Sequence, residues 1–252
     1  MKKYIFYFLI FPIIVSAQIN ESDSLKVKAS LSVTGLWQSG NVETLILRGR
    51  TDFSVRPWKK WVFKNTNSYV YQAFDKNKAD SDFLSLNFLY FNPEKRFYPQ
   101  VLGFISTNFR REIVQRYLVG AGGTYQIIQG EKSWLKASLT FEFEETDFRR
   151  DVFNRPQFNG NNIIDTFRST IWISGKYELF KKKVILKHQS FYQPSLEDSD
   201  NYRWQADLSA EFPVWKHLSF KINYLRTFES VVIQGQEEED EFLTFGFTLK
   251  SF

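Results

Sequence analysis

The sequence predicts an all-β protein, a closed antiparallel transmembrane β-barrel of about 12 strands. Three observations lead to this prediction: apolar and polar residues alternate along many segments, the connections between segments alternate in length, and the chain opens with the pattern of an export signal. Alternation gives each strand one apolar and one polar face. No later stretch approaches the ~18 consecutive apolar residues of a spanning helix, so any membrane span must consist of strands.

The first residues have the order of an export signal, with Lys2 and Lys3 before an uncharged stretch from Tyr4 to Ala17. An N-terminal membrane anchor is disfavoured because the stretch is shorter than the ~20 residues of a spanning helix. The chain has no cysteine, which excludes lipoprotein acylation, disulfides and thiolate chemistry. The predicted organisation is a signal peptide at 1–17, a short N-terminal periplasmic segment at 18–27 and an outer-membrane barrel at 28–252.

Strict alternation marks each predicted strand in turn. Leu135, Leu139 and Phe143, for example, alternate with polar residues such as Lys136 and Glu144. Most segments are long enough to cross a bilayer when tilted, and their even number suits a bacterial single-chain barrel. The predicted strands are 28–38, 43–56, 61–73, 82–92, 99–110, 116–128, 134–146, 166–179, 184–193, 202–212, 217–229 and 241–251.

The connections fall into two alternating classes, which a soluble β-sandwich gives no reason to expect. Nine basic and two acidic residues lie in the short class, whereas thirteen acidic and six basic residues lie in the long class. Short periplasmic turns and long extracellular loops are typical of outer-membrane barrels. The short class is 57–60, 93–98, 129–133, 180–183 and 213–216. The long class is 39–42, 74–81, 111–115, 147–165, 194–201 and 230–240.

Aromatic residues cluster beside the short turns, where rings suit a bilayer interface. We therefore predict a periplasmic aromatic girdle, with nearby lysines facing lipid phosphates; ordinary polar turns beside core aromatics are the alternative. The predicted girdle is Trp58, Trp61, Phe97, Tyr98, Trp134, Phe180, Trp215 and Phe252.

Closure requires the first strand to pair with the last, because hydrocarbon tolerates no open sheet edge. The terminal Phe252 fits the aromatic end that outer-membrane barrel-assembly machinery reads, although it lies on the opposite parity from Leu243 and Phe245. The expected partners are this machinery, outer-membrane lipids and lipopolysaccharide. Nucleic acid is not expected, since two of the 33 basic residues lie in the signal peptide and the formal net charge is only +5.

Two short motifs resemble a known family. The run from Thr34 to Thr44 is similar to the G-x-x-x-S-G-N-x-x-T opening of the family catalogued as domain of unknown function 481, also called salt-induced outer-membrane proteins. Arg116 to Tyr125 is similar to that family's R-x-x-x-G-x-G-x-x-Y stretch, and a strand ending in Phe is a third likeness. The resemblance implies an outer-membrane barrel over 28–252, and it brings no ligand, cofactor or catalytic residue with it.

The glycines of these motifs predict backbone features. Gly40, between Ser39 and Asn41, suits a tight turn with positive φ. Three glycines within one strand, at 120, 122 and 123, indicate a bend or a close approach to the barrel wall, and a ligand contact is the less favoured alternative.

The polar faces of the strands would line the lumen, with seven basic and six acidic positions. This balance fits either an ion-paired interior that braces a narrow barrel or opposed charge ladders across a pore. A strongly anion-selective lumen would show a basic excess. The predicted lumen residues are Arg48, Arg50, Asp52, Lys64, Lys136, Glu142, Glu144, Arg168, Lys176, Glu178, Asp207, Glu211 and Lys221.

The first functional hypothesis is a narrow channel for small polar solutes, and the second is a non-conducting structural or surface-binding barrel. A remote third is a lipid hydrolase, because His188 and Ser190 share a strand face as in the outer-membrane phospholipase family. The neighbouring strand offers no orienting Asn, and Ser–His catalysis needs geometry that spacing cannot supply. We therefore expect a protein that is not an enzyme and has no cofactor.

An acidic run near the end of the chain is a weak candidate for binding divalent cations, which prefer oxygen ligands. The alternative is a solvated loop, which is the commoner role of such a run. The carboxylates concerned are Glu237, Glu238, Glu239 and Asp240. The long connection 147–165 is partly apolar, so it is expected to fold inward as a constriction or to meet a partner.

Overall fold

The computed structural model describes residues 20–22, 26–38, 43–75, 77–130 and 132–250. The predicted signal peptide, the turn at 39–42 and Phe252 lie outside these ranges. None of the helices in the described ranges is long and apolar enough to cross a membrane. The strands are β1 (Val27–Gln38), β2 (Thr44–Trp58), β3 (Trp61–Phe74), β4 (Asn77–Phe91), β5 (Phe97–Asn108), β6 (Ile113–Ile128), β7 (Ser133–Phe148), β8 (Ile163–Leu179), β9 (Val184–Pro194), β10 (Tyr202–Pro213), β11 (Leu218–Glu229) and β12 (Glu239–Lys250).

The polarity of the sheet is inverted relative to a water-soluble barrel. Along β7, the side chains of Lys136 and Glu144 are 2% and 1% exposed, whereas that of Phe141 is 56% exposed. The two-residue period of the sequence therefore forms strands, and it places polar side chains inside and apolar side chains outside. This arrangement is typical of transmembrane barrels.

All twelve strands form a single closed barrel. Each strand pairs antiparallel with its neighbours in the chain, and β1 closes the ring on β12. Across this seam the hydroxyls of Ser32 and Thr248 lie 3.2 Å apart. A Cβ at Gly246 would lie 2.1 Å from the carbonyl oxygen of Val33, so glycine allows the two strands to approach. Closure gives the backbone of every strand an internal partner, as a bilayer requires.

The glycines of β6 allow neighbouring strands to approach closely. Gly120 and Gly122 face inward, and a Cβ at Gly122 would lie 2.0 Å from the carbonyl oxygen of Leu139 on β7. A Cβ at Gly123 would lie 2.7 Å from the ring of Phe97 on β5. The close approach predicted for these glycines is therefore to neighbouring strands of the barrel wall.

The twelve predicted segments and the predicted closure are confirmed, and the differences lie at the strand ends. β4 begins at Asn77 and β6 at Ile113, each earlier than predicted. At the start of β4 the alternation fades because both faces carry polar residues: Lys78 is exposed and Asp80 is buried. The backbone of this part of β4 nevertheless pairs with β3, beyond an irregularity between Gln72 and Ala73. The predicted long loops at 74–81 and 111–115 are consequently shorter than expected.

The two ends of the barrel differ. We call the end with the connections 59–60, 92–96, 129–132, 180–183 and 214–217 the short-turn rim, and the opposite end the long-loop rim. The longest connections of the long-loop rim are 149–162, which contains a 3-10 helix (Pro156–Phe158), and 230–238. The predicted alternation in connection length holds for 149–162, 195–201 and 230–238, whereas 109–112 on the long-loop rim is as short as the turns of the opposite end.

Candidate functional site

The lumen is the candidate site, because most ionisable side chains of the strands point into it. The structure places every predicted lumen residue on the inner wall, buried or half-buried. These are Arg48, Arg50, Asp52, Lys64, Lys136, Glu142, Glu144, Arg168, Lys176, Glu178, Asp207, Glu211 and Lys221. The sequence prediction missed Arg116, Arg203 and Glu229, which are also inside.

Glu144 organises the lumen on the side of β7. Its carboxylate accepts hydrogen bonds from Arg168, at 3.0 Å, and from Arg203, and it lies 3.7 Å from the guanidinium of Arg116. Arg116 also donates two bonds of 2.8 Å to Glu229, one to each oxygen. Five strands, β6, β7, β8, β10 and β11, are thereby joined through one buried network.

A second network crosses the lumen from β2 to β10. Arg48 and Arg50 each donate to Asp207 at 3.1 Å, although β2 and β10 are separated by three other strands of the ring. Arg50 also bonds Asp52 on its own strand, and Asn223 donates to Asp207 at 2.7 Å. These side chains therefore span the interior and narrow it.

The N-terminal segment enters the barrel at the short-turn rim. Glu21 is 5% exposed and accepts bonds from Tyr98, at 2.6 Å, and from Lys136, at 2.9 Å. Lys136 also donates to Asn20, at 2.6 Å, and to Ser22, at 3.0 Å. Residues 20–22 of the predicted periplasmic segment therefore lie inside the barrel end, because their acidic and polar side chains find partners there.

The position of Glu21 changes its acidity. Burial alone would raise its pKa, but the ammonium groups of Lys136 and Lys64 and the bonds from Lys136 and Tyr98 outweigh burial and lower the pKa to about 2. The carboxylate is therefore ionised at neutral pH, and its charge holds residues 20–22 in the lumen.

One side of the lumen is apolar, which the sequence did not predict. Trp172 of β8 reaches across the lumen to this apolar side, where its ring centroid lies 6.1 Å from that of Phe88 on β4. The Trp172 indole donates a hydrogen bond of 2.9 Å to the hydroxyl of Thr140. Trp172, an exception to the apolar-outward pattern of its strand, thus forms a constriction with Phe88. The buried apolar cluster comprises Val62, Leu86, Phe88, Tyr90, Tyr98, Leu102, Phe104, Leu118 and Trp172.

A chamber of about 160 Å³ lies between this constriction and the long-loop rim. Its wall includes the guanidinium-bearing residues Arg48, Arg111, Arg116 and Arg203 together with Trp172. A second cavity, of about 40 Å³, lies on the other side of Trp172 and is lined by Glu21, Lys64 and Lys136 among others.

Part of the long-loop rim is covered by its own loops. Phe153 of the 149–162 connection forms a β-bridge with Ile233 of the 230–238 connection, and the two side chains are 2% and 0% exposed. They pack with Ile113, Phe148 and Val231 at the mouth of the barrel. The predicted inward fold of the long connection is therefore present as a cover over the side of the mouth near β6 to β8.

Most described members of the predicted aromatic girdle lie exposed at the short-turn rim. Trp58, Phe97, Phe180 and Trp215 are between 62% and 74% exposed, and Trp61 is 36% exposed. The prediction is wrong for Tyr98 and Trp134, which are 0% and 3% exposed. Both point into the lumen, where each ring lies under the Lys136 ammonium, because they share strand parity with the inward-facing Gln100 and Lys136.

The pair proposed for lipid hydrolysis faces outward, but it does not form a catalytic dyad here. The His188 ring stacks on Tyr177, with Nε2 3.4 Å from the tyrosine hydroxyl. His188 is paired in the sheet with Gly175 on one side and Leu208 on the other, and neither can orient a histidine.

The carboxylates of the acidic run do not converge on a cation site. Glu238 accepts a bond from Asn154 at 2.8 Å, Glu239 pairs with Arg226, and Asp240 pairs with two arginines inside the long-loop rim. Glu237 contributes to no metal-ligating group, and such groups are absent from the described ranges. Among the described residues the acidic run therefore forms no cation site: Glu239 and Asp240 alternate at the start of β12, and Glu238 is tied to Asn154 in the preceding connection.

The closed, even-stranded barrel with a polar lumen and an apolar outer wall defines the class: an antiparallel β-barrel of the outer-membrane type. The chain matches the family described as "Protein of unknown function, DUF481" over residues 27–250, and it belongs to this family.

Solved structures with a similar fold include the NanC porin, with a TM-score of 0.54 and 9% identity over 88% of this chain and 100% of that chain. The translocator domain of the autotransporter NalP from Neisseria meningitidis has a TM-score of 0.45 and 10% identity, over 90% of this chain and 87% of that chain. At 9% identity the likeness to the porin shows the fold alone. The search of curated proteins finds no match.

Proposed function

We propose that this barrel spans the outer membrane, with the short-turn rim toward the periplasm, and that it is a narrow, gated channel for small polar solutes. The membrane placement is supported by the outer wall, where Val33, Phe141 and Phe247 are each more than half exposed. Such a surface is favourable against hydrocarbon and costly in water. The exposed rings at the short-turn rim suit the headgroup region.

The chamber of about 160 Å³ is the observation that carries the channel function. Its wall combines arginines and carboxylates with apolar rings, a mixture that can orient a polar solute by its charged groups and pack its carbon atoms. Positive and negative groups are close to balanced, so the chamber favours zwitterionic or neutral polar solutes over strongly charged ones.

Two side-chain barriers separate this chamber from the short-turn rim. The first is the constriction between Trp172 and Phe88, beside the Arg50–Asp207 pair. The second is the N-terminal segment held by Glu21. The side chains of Trp172 and Phe88 and the segment 20–22 are not part of the hydrogen-bonded barrel wall. Rotamer changes of the two rings and withdrawal of residues 20–22 would therefore open a path while the barrel stays intact. Passage of solute therefore depends on gating.

Single-channel recording in planar bilayers tests this function. The wild type is expected to open briefly and rarely, and Trp172→Ala is expected to raise conductance and open time because the indole blocks the middle of the lumen. Ile173→Ala, the adjacent outward-facing position, is the matched control and is expected to match the wild type. Absence of openings in both the wild type and Trp172→Ala, across voltages, would refute the channel.

A second function, a non-conducting structural barrel, is favoured by the network around Glu144. Its three arginines come from three different strands, and the geometry braces the interior. The same recordings separate the two functions, since a braced barrel stays silent when Trp172 is removed. Catalysis is not part of the proposal, because His188 stacks on Tyr177 and lacks a serine partner.

A further inference from the structure

Polar side chains cluster on the outer wall of β2, β3 and β4, where hydrocarbon is expected. Asn65 and Asn67 lie on the outward face of β3, between inward-facing Lys64, Thr66 and Ser68, which line the lumen. The register of the sheet places Thr51, Ser85 and Asn87 beside them on the neighbouring strands. We call this group, Thr51, Asn65, Asn67, Ser85 and Asn87, the amide patch.

The amide patch lies near the middle of the apolar band. β3 begins at Trp61 on the short-turn rim, and Asn65 and Asn67 follow four and six residues later. At ~3.3 Å per residue and a tilt of ~40°, these residues lie roughly 10 to 15 Å from the rim. The band of a transmembrane barrel is ~25 Å tall, so the patch occupies the depth at which polar groups are least favourable.

Other strands present apolar residues on the outer wall. Exposed side chains on β1, β5, β6, β7 and β12 include Leu31, Val33, Val101, Val119, Phe141 and Phe245. His188 and Ser190 of β9 also face outward, but the five adjoining polar side chains of the patch are concentrated on one face.

Internal hydrogen bonds satisfy only part of the patch. The two hydrogens of the Asn65 amide are shared among Asn87 Oδ1, at 2.9 Å, and three more distant acceptors. Asn67 donates to Asn65, at 2.6 Å, and to Thr51, at 3.3 Å, while Asn87 donates to Ser85 at 3.3 Å. Among the described residues this leaves one N–H of Asn87 and the hydroxyl hydrogens of Ser85 and Thr51 without a protein acceptor.

We propose that the amide patch is the contact surface between two copies of this chain, related by a two-fold axis along the membrane normal. Amides and hydroxyls both donate and accept, so the patch is complementary to its own image, as an isologous interface requires. A second copy would supply acceptors for the three remaining hydrogens, and interchain hydrogen bonds of this kind join transmembrane segments. A Cβ at Gly49 would meet nothing within 4 Å, so this glycine leaves open space beside the patch, which permits close approach of the second barrel.

This inference rests on the proposed membrane placement and is independent of conduction. Because the chain has no cysteine, a single introduced cysteine reports contacts between copies. Thr51→Cys, at the exposed edge of the patch, is expected to form a disulfide-linked dimer when membranes are oxidised. Ser190→Cys, which faces outward on the opposite wall at the same distance from the short-turn rim as Asn67, is the matched control and is expected to remain monomeric. Equal cross-linking of the two variants, or none in either, would overturn the proposal.

Removal of the amides gives a second readout. The double variant Asn65→Leu/Asn87→Leu is expected to shift the protein in lipid nanodiscs from two chains per particle to one, with the dimer dissociation constant raised at least tenfold. Ser190→Leu is expected to leave the dimer intact. A wild type that is monomeric at all lipid ratios, or that pairs through this face with a different protein, would contradict the proposal.

Heat-dependent migration on gels separates failure of the dimer from failure of the membrane placement. A barrel folded in detergent should shift on boiling in the wild type and in every variant, since the substitutions lie outside the hydrogen-bonded backbone. A protein that partitions into buffer without detergent would refute the membrane placement itself, and the dimer with it.

Discussion

The clearest quantitative prediction concerns Glu21 and the segment it holds in the lumen. Its pKa of about 2 in the docked segment, against an ordinary value of 4.5, corresponds to about 3 kcal/mol of docking free energy at neutral pH. Glu21→Gln removes the charge that Lys136 and Lys64 attract. We therefore expect the undocked population of residues 20–22 to rise by roughly 100-fold.

Thiol accessibility measures this population. Ser22→Cys introduces the only cysteine, and its rate of reaction with a disulfide reagent, normalised to the unfolded protein, reports undocking. In this background Glu21→Gln should react roughly 100-fold faster. Glu94→Gln, an exposed carboxylate on the same rim, is the control and should leave the rate unchanged.

The pH dependence has a definite sign. Because the pKa of Glu21 is lowered by docking, the stabilisation is complete above about pH 4.5 and is lost as the pH falls toward about 2. The rate of Ser22→Cys relative to that of the unfolded protein at the same pH, which cancels the loss of thiolate in acid, should therefore rise as the pH falls through this window, and Glu21→Gln should abolish the rise. Equal rates for the two proteins at all pH values would refute the role assigned to Glu21.

Two further predictions concern the wall and its bracing. Glu144→Gln should lower the free energy of unfolding in lipid vesicles by about 3–5 kcal/mol, because three buried arginines lose their shared carboxylate. Asp165→Asn, on the outer face, is the control. A loss below ~1 kcal/mol in Glu144→Gln would contradict the bracing. Gly246→Val should reduce the heat-modifiable folded fraction, because its Cβ would lie 2.1 Å from the carbonyl oxygen of Val33 on β1, whereas a Cβ at Gly49 meets nothing within 4 Å and Gly49→Val should fold normally. Equal folding of the two glycine variants would show that the seam tolerates a side chain.

Strand positions could be predicted because alternation is a local property. A two-residue period in β7 or β8 records which side chains face lipid, and no knowledge of the rest of the chain is needed. Strand parity also indicates the inward orientation of Tyr98 and Trp134, since each lies two residues from a polar inward-facing residue. Proximity to a short turn outweighed parity in the girdle prediction, and that choice was wrong for these two residues.

The contacts across the lumen could not be predicted in this way. The pairing of Arg48 with Asp207, or of Trp172 with Phe88, depends on which strands oppose each other after closure, and that information is not local. Likewise, the segment around Glu21 has no periodicity, so nothing in its sequence indicated that it enters the barrel. The amide patch was visible as polar residues at outward positions of β3, but its meaning required the register with β2 and β4.

The central claim is that side chains, and not the barrel wall, close the lumen. Single-channel current through the double variant Glu21→Gln/Trp172→Ala tests it most directly, since this variant weakens both barriers at once. The account predicts a long-lived open state with greater conductance than either single variant, in a barrel that still shifts on heating. A folded double variant that remains as silent as a closed wild type would contradict the claim.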